Sequence, residues 1–507
     1  MMDQHAIPVL VGVGQTTDKG STFEACLSPL QLLMESVKRA LEDAGIHLKQ
    51  IQSRIDTLVI TSGFIDYLKN PPQALCNALN IHAKNQYLSG VGGCSPQAAV
   101  NRLSEDIANL KIQCALLGGM EAQAAMGMAR KAGIQPDWDQ PSDQAPELFF
   151  PYRAGDGACE TEMIHGIGVP VNVYPMFENA LRSYLGRSFS DHQSKIADLF
   201  SRFSRVAEKN SYAWFPKARS AQEIMTVTGN NRYVGFPYTK LMNSMLGVNQ
   251  SAAVLLMSEA MADELGVRRE KRVYLHGCAD AADHWYVLNR VNYYSSPAIK
   301  LCGKTALDMA GKTMEDMDHI DLYSCFPCAV EIARDMLGMD ENDSRPLTVT
   351  GGLPYFGGPG NNYVMHSLAA MVEKLRENPG KFGLLNGNSY YLSKHSVGIY
   401  NTLPLEKPWQ RTHPDVLQKQ IHATKTPEIE NQPKGSAAVE TYTVLFNREG
   451  QPEKGLIIGR TENQPFKRFA AITPADPGLW QEMMTGDFVG TRGIVRNQGR
   501  FNVFEPI

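Results

Sequence analysis

A cysteine stands where a glycine-rich turn enters a helical pattern. Gly92-Gly93-Cys94-Ser95-Pro96-Gln97 leads into helical apolar spacing over residues 96–110, and at such a turn backbone N–H groups and the helix dipole favour a thiolate. Cys94 is therefore a candidate nucleophile, against the alternative of a thiol turned into packing. His395, in Lys394-His395, is the candidate acid/base, because an imidazole titrates near ~6.5 in water. A hydrogen-bonded structural histidine is the equal alternative. His366, inside the helical stretch after Asn362, reads as structural. Asn386, Asn388, Asn361 and Asn362 can donate to a developing oxyanion, worth roughly 10²–10³ in rate per donor. Gly-rich turns ask for asparagine too. The Gly357-Gly358-Pro359-Gly360 run lets backbone approach a phosphate closely but lacks the lysine and spacing of a P-loop.

The nine cysteines are scattered and odd in number, which fits free thiols in a reducing compartment rather than a disulfide scaffold. The lone CxxC, Cys325-Phe326-Pro327-Cys328, has neither a second CxxC nor paired histidines, so no metal site is expected there or elsewhere. A thiol-redox role for it is the weaker alternative to buried thiols.

The elements that must position these groups come in two copies. Ser28-Pro29, Ala40-Leu41-Glu42-Asp43-Ala44-Gly45 and Ile55-Asp56 are answered by Ser296-Pro297, Ala306-Leu307-Asp308-Met309-Ala310-Gly311 and Ile320-Asp321. Gly92-Gly93 is answered by Gly351-Gly352, and Leu116-Leu117-Gly118-Gly119 by Leu384-Leu385-Asn386-Gly387. From Asp56 to Leu116 is 60 residues and from Asp321 to Leu384 is 63, so the order and the intervals both repeat. Strands alternating with helices predict βαβ crossovers and a mostly parallel sheet in each copy.

Length and composition predict two to four domains of an ordinary globular protein. A net charge of −4 without long basic runs gives no footprint for nucleic acid. No stretch reaches the ~20 apolar residues of a membrane span, and no signal-like segment opens the chain, so a cytoplasmic location is expected. The expected division is residues 1–271 for the first copy, interrupted by an insertion over 120–245, then 272–404 for the second. A polar linker follows over 405–436, and a β-rich module over 437–507. Short β-like runs such as Thr441–Phe446 and Phe488–Val495, separated by turn signals, suggest a small separate barrel or sandwich for that tail.

Gly118-Gly119-Met120-Glu121, Asn249-Gln250-Ser251-Ala252-Ala253 and Asp321-Leu322-Tyr323-Ser324-Cys325-Phe326 resemble segments of the thiolase superfamily. The variants Gly92-Gly93-Cys94-Ser95-Pro96-Gln97, Gly357-Gly358-Pro359-Gly360-Asn361-Asn362-Tyr363 and Lys394-His395 with Gly398-Ile399-Tyr400 resemble its type 1 thiolase-like branch, which carries an extra C-terminal domain. The resemblance implies a duplicated αβαβα core with a loop domain, a small β-rich C-terminal domain, and CoA thioesters as substrates with no bound cofactor. It also implies a homodimer by default, with a monomer left open because the added domain could block pairing. The four standard catalytic groups fall on other residues: the nucleophile on Gly93, the Gly-His-Pro histidine on Gly358, the asparagine on Phe326 and the second cysteine on Asn386. What remains expected is an acyltransferase with an altered set, Cys94, His395 and Asn386. Gly93, Cys325, Phe326, Gly357, Gly358 and Asn361 would line its substrate site. The alternative is a non-catalytic acyl-CoA binder whose C-terminal module docks a partner.

Overall fold

Gly12 and Gly277 occupy equivalent places, and each exists to let a helix lie on a strand. A Cβ on Gly12 would collide with the carbonyl oxygen of Ala40, and one on Gly277 with that of Ala306. Both partners lie on helices built alike. Pro29–Ala44 and Pro297–Ala310 are N-capped by Ser28 and Ser296 and end on left-handed Gly45 and Gly311. The computed structural model, which describes residues 3–139, 142, 144–152, 155–463 and 465–507, thus contains the expected repeat as a repeated packing contact.

Twelve strands precede the tail. The first half has β1 (Pro8–Thr17), β2 (Thr57–Ile60), β3 (Asn85–Leu88), β4 (Cys114–Ala122), β5 (Glu147–Leu148), β6 (Tyr233–Gly235), β7 (Tyr238–Thr239) and β8 (Asn249–Ser258). The second has β9 (Val273–Ala282), β10 (Met317–Leu322), β11 (Phe382–Ser389) and β12 (Lys394–Asn401). Ten of them form one path in the order β10-β11-β12-β9-β1-β8-β4-β2-β3-β5, while β6 and β7 join the sheet of the tail. The helices Ser95–Ala108 and Tyr363–Glu377 lie between the two halves of this path, and both touch strands of each half. Pro29–Ala44 and Pro297–Ala310 cover the outer faces, giving the five αβαβα layers.

The sheet is not mostly parallel. Parallel pairing is confined to β2–β3, β2–β4, β3–β5 and β10–β11. In each half the chain returns antiparallel, through β8 between β1 and β4 and through β12 between β9 and β11. Both return strands are buried on two faces, so their apolar runs carry no mark of direction.

Two boundaries also differ. The stretch expected as a linker is docked: Arg411 is buried and bonds to Glu105 at 2.8 Å and to Asp280 at 2.5 Å, while Trp409 Nε1 donates to Leu275 O. The tail is the expected β-rich C-terminal domain, with its own hydrophobic cluster, but it is joined to the insertion. Its long strand β14 (Gly435–Phe446), preceded by the short β13 (Glu428–Ile429), pairs with β6 of the insertion and lies along the insertion helix Pro170–Tyr184. Arg468, also in the tail, is fully buried, pairs with Glu440 at 2.5 Å and donates to Leu288 O at 3.0 Å. These polar anchors explain why a stretch without an apolar pattern is still fixed.

Gly12→Val and Gly277→Val should each lower stability by roughly 3 kcal/mol, the upper end for overpacking a core. Gly127→Ala, on a helix with nothing within 4 Å of the new Cβ, should change it by less than ~1 kcal/mol and in the stabilising direction. Calorimetric melting of the three variants reads this, and a loss at Gly12 without one at Gly277 would refute the equivalence.

Candidate active site

Cys94 is the N-cap of the Ser95–Ala108 helix. Its environment comes from the β11–β12 hairpin, 295 residues away. Its backbone N–H donates to Ser389 Oγ at 2.8 Å, and the Ser389 hydroxyl donates to Cys94 Sγ at 2.9 Å. A Cβ on Gly387 would sit 3.2 Å from Cys94 Cβ, so glycine there lets β11 pass against the thiol. Asn361 braces the turn from the second copy, with Oδ1 accepting from Gly92 N at 3.2 Å and Nδ2 donating to Ser62 O at 2.9 Å.

Lys394 completes this group. Its Nζ donates to Val91 O at 3.0 Å and lies over the rings of Tyr152, Tyr390 and Trp285, at 3.5, 4.7 and 5.3 Å from their centroids. A Cβ on Gly92 would be 2.6 Å from Ser389 Oγ and 3.2 Å from Lys394 Nζ, so the hydroxyl and the ammonium converge on the cysteine turn. Burial pulls the Lys394 pKa down to about 8, while Cys94 and Asp156 push it up. Burial pushes the Cys94 thiol up, and Lys394, Ser389 and Ser396 pull it back. Three aromatic faces favour the cation as well. The chemistry within reach is a thiol whose anion would meet an O–H donor, an ammonium and a helix N-terminus.

His395 does not join it. The pairing Ser389↔Lys394 and Asn388↔His395 puts adjacent residues on opposite faces. His395 Nε2 contacts Leu392 O at 3.0 Å, with Asp283 at 3.6 Å and Ser296 at 3.4 Å. Asn386 and Asn388 share its face, away from Cys94. Asn388 Nδ2 donates to the Tyr174 hydroxyl at 2.9 Å, and Asn386 Nδ2 is buried without a hydrogen-bond partner. The expected trio of Cys94, His395 and Asn386 is therefore divided by the sheet. His366 is structural in its surroundings, fully buried against Gln15 Oε1 at 2.9 Å and lowered by burial to about 3.

The places of two standard side chains are filled. A Cβ on Gly93 would meet the Tyr323 hydroxyl and lie 2.7 Å from Asn388 O; a Cβ on Gly358 would meet Ser244 Oγ from the insertion. Gly357, at φ +118°, packs against Gln250. Phe326 is stacked on Tyr174 at 4.4 Å and on Tyr238 at 5.6 Å, as core rather than lining. Cys325 lies 4.0 Å from Asn388 Nδ2 and burial pushes it up to about 12. Cys328 is likewise buried and raised, so neither CxxC thiol is the accessible, acidic thiol that redox exchange needs. Cys94, Ser389 and Lys394 do not line any of five surface clefts of 420 to 1030 Å³. The segment carrying Tyr152 packs over this group, with Val91 N donating to Tyr152 O at 2.9 Å and the Tyr152 ring against Lys394 Nζ.

Residues 416–500 match the family model of the thiolase-like protein type 1 additional C-terminal domain. The crystal structure of a monomeric SCP2-thiolase like protein type 1 from Mycobacterium smegmatis aligns over 100% of both chains, with a TM-score of 0.86 and 34% identity. The chain belongs to the thiolase-like protein type 1 family. Wider relatives share less. The dimeric peroxisomal thiolase of Saccharomyces cerevisiae aligns with a TM-score of 0.56 at 13% identity, over 79% of this chain and 98% of that one, which shows the common fold. A 3-ketoacyl-CoA thiolase of Aeromonas salmonicida is 27% identical over 216 residues, 39% of this chain and 45% of that protein. The chain thus spans under half the length of that curated relative.

Gly93→Cys should not install a nucleophile. The new side chain must displace the Tyr323 hydroxyl and the Asn388 carbonyl, so a loss of about 1–3 kcal/mol in urea unfolding is expected, with no gain in thiolytic cleavage of acetoacetyl-CoA. A stable variant that gains that activity would refute the assignment of Tyr323 as the group occupying this place.

Proposed function

We propose that this thiolase-like protein handles CoA thioesters with Cys94 as acyl acceptor and with Lys394 and Ser389, rather than a histidine, supporting the sulfur. The observation that carries the reading is the convergence of the Ser389 hydroxyl and the Lys394 ammonium on a cysteine at a helix N-terminus. In the proposed step the Cys94 thiolate, paired with the Lys394 ammonium, attacks the thioester carbon, the carbon–sulfur bond to CoA breaks, and the CoA thiolate leaves as the anion that the ammonium then faces. Water or a second thiol then takes the acyl group from Cys94. Entry requires the Tyr152 segment to swing away from Gly90 and Val91, against which it packs. For assembly the same reading favours a monomer over the default homodimer, because β5 covers the open edge of β3 that a partner sheet would need. None of the described helices is long and apolar enough to cross a membrane. A cytoplasmic location remains part of the proposal.

The filled places at Gly93 and Gly358 favour a second reading, in which the pocket binds acyl-CoA without turnover. Labelling separates the two. Incubation with radiolabelled acetyl- or octanoyl-CoA should modify Cys94, and a Cys94→Ala chain that labels equally would sink the assignment. Lys394→Met removes the cation beside the sulfur, which disfavours the thiolate. The pH profile of labelling should then move upward, with about tenfold less label at pH 7, equal to ~1.4 kcal/mol, and Lys394→Arg should recover part of it. Calorimetric binding of CoA with no label in the wild-type chain selects the second reading.

A further inference from the structure

Glu178, His192 and Glu331 meet in the interior, far apart in sequence and on three helices. The first two lie on Pro170–Tyr184 and Phe189–Glu208 of the insertion, the third on Pro327–Met336 of the second copy. One donor atom from each falls within 4.8 Å of the other two, and the residues are only 0, 1 and 2% exposed. His192 Nε2 lies 2.5 Å from Glu178 Oε1, and the Tyr238 hydroxyl donates to Glu178 Oε2 at 2.6 Å.

Three buried atoms here lack hydrogen-bond partners: Glu331 Oε2, His192 Nδ1 and Arg187 Nη1. Arg187 reaches Glu331 Oε1 at only 3.6 Å and bonds to Glu341 instead, at 2.6 Å. Two carboxylates buried this close together repel and are poorly hydrated, and with Arg187 turned to Glu341 a bound proton or cation would balance them. One neutral imidazole and two carboxylates, with an unspent oxygen aimed among them, match the donor set of a first-row divalent ion bound at ~2.0–2.2 Å.

We propose that Glu178, His192 and Glu331 form a structural site for a divalent transition-metal cation of the zinc type, joining the insertion to the second copy of the core. Tyr238, which holds Glu178, also stacks on Phe326, so the ion would stiffen the wall behind the β10 turn.

The experiment uses the full chain. Protein purified without chelator should carry about one transition-metal ion per chain by plasma mass spectrometry. After chelation and dialysis, Zn²⁺ should raise the melting temperature by roughly 5 °C, Mg²⁺ should not, and Co²⁺ should give visible ligand-field absorption. His192→Gln should lose the absorption and the shift. Should that variant fold poorly, the chelated wild-type chain alone decides. Neither a Zn²⁺ shift nor a Co²⁺ spectrum in it would overturn the proposal and leave a shared proton between the two glutamates. Glu331→Gln raising the melting temperature of metal-free protein would be the mark of that alternative.

Discussion

Side chains on a strand alternate between two faces, and the register of the β11–β12 hairpin uses that alternation to separate two sets of polar groups. Ser389 opposite Lys394 and Gly387 opposite Ser396 face the helix that begins at Cys94; Asn388 opposite His395 and Asn386 opposite Val397 face away. A slip of one residue would exchange the sets and bring a histidine and two amides to the thiol. The turn between the strands fixes the register, with Tyr390 and Leu392 both at positive φ and the Tyr174 hydroxyl accepting from Leu392 N at 3.2 Å. The candidate chemistry thus depends on a turn whose Tyr390 also lays its ring under the Lys394 ammonium.

The face that results is poor in bases and rich in a single charge. Lys394 is desolvated, which weakens it as a cation, but the aromatic faces, the Val91 carbonyl and the Asp156 charge oppose that loss. A cation held this way supports an anion beside it more than it accepts a proton. The natural anion is the Cys94 thiolate or a thioester oxygen in its place. Exclusion of water strengthens such a pair, and the Tyr152 ring over the ammonium contributes to that exclusion.

The repeat was legible because it is written in local signals: serine caps, left-handed glycines, and small residues where helix and strand touch. Cys94 at its helix start was legible for the same reason. The antiparallel return strands were not, since a strand buried on both faces has no polar side to betray its direction. His395 was assigned to Cys94 by its position in the chain, although the period of two in Asn386–Ser389 and Lys394–Tyr400 already allowed only one of Lys394 and His395 on the thiol's face. Ser389 was missed because it stands in no motif, and Lys394 because its motif was read for the neighbouring His395. Tyr323 and Ser244 were beyond reach, for a glycine in a motif does not say what fills its space.

The insertion and the tail pack as one body, and this bears on how the place at Gly358 stays filled. Ser244, which fills the place at Gly358, comes from the insertion, and its N–H donates to Cys325 O at 3.1 Å. The tail in turn holds the insertion: Thr441 Oγ donates to Met176 O at 2.5 Å and Asn179 Nδ2 to Tyr442 O at 2.9 Å. A loop region clamped from outside has little freedom to retract, so the Ser244 side chain that it lays against Gly358 stays there. The β5 strand belongs to the same insertion and covers the sheet edge at β3. Filling the place at Gly358 and covering the edge are then two results of one arrangement, the fixing of the insertion onto the core.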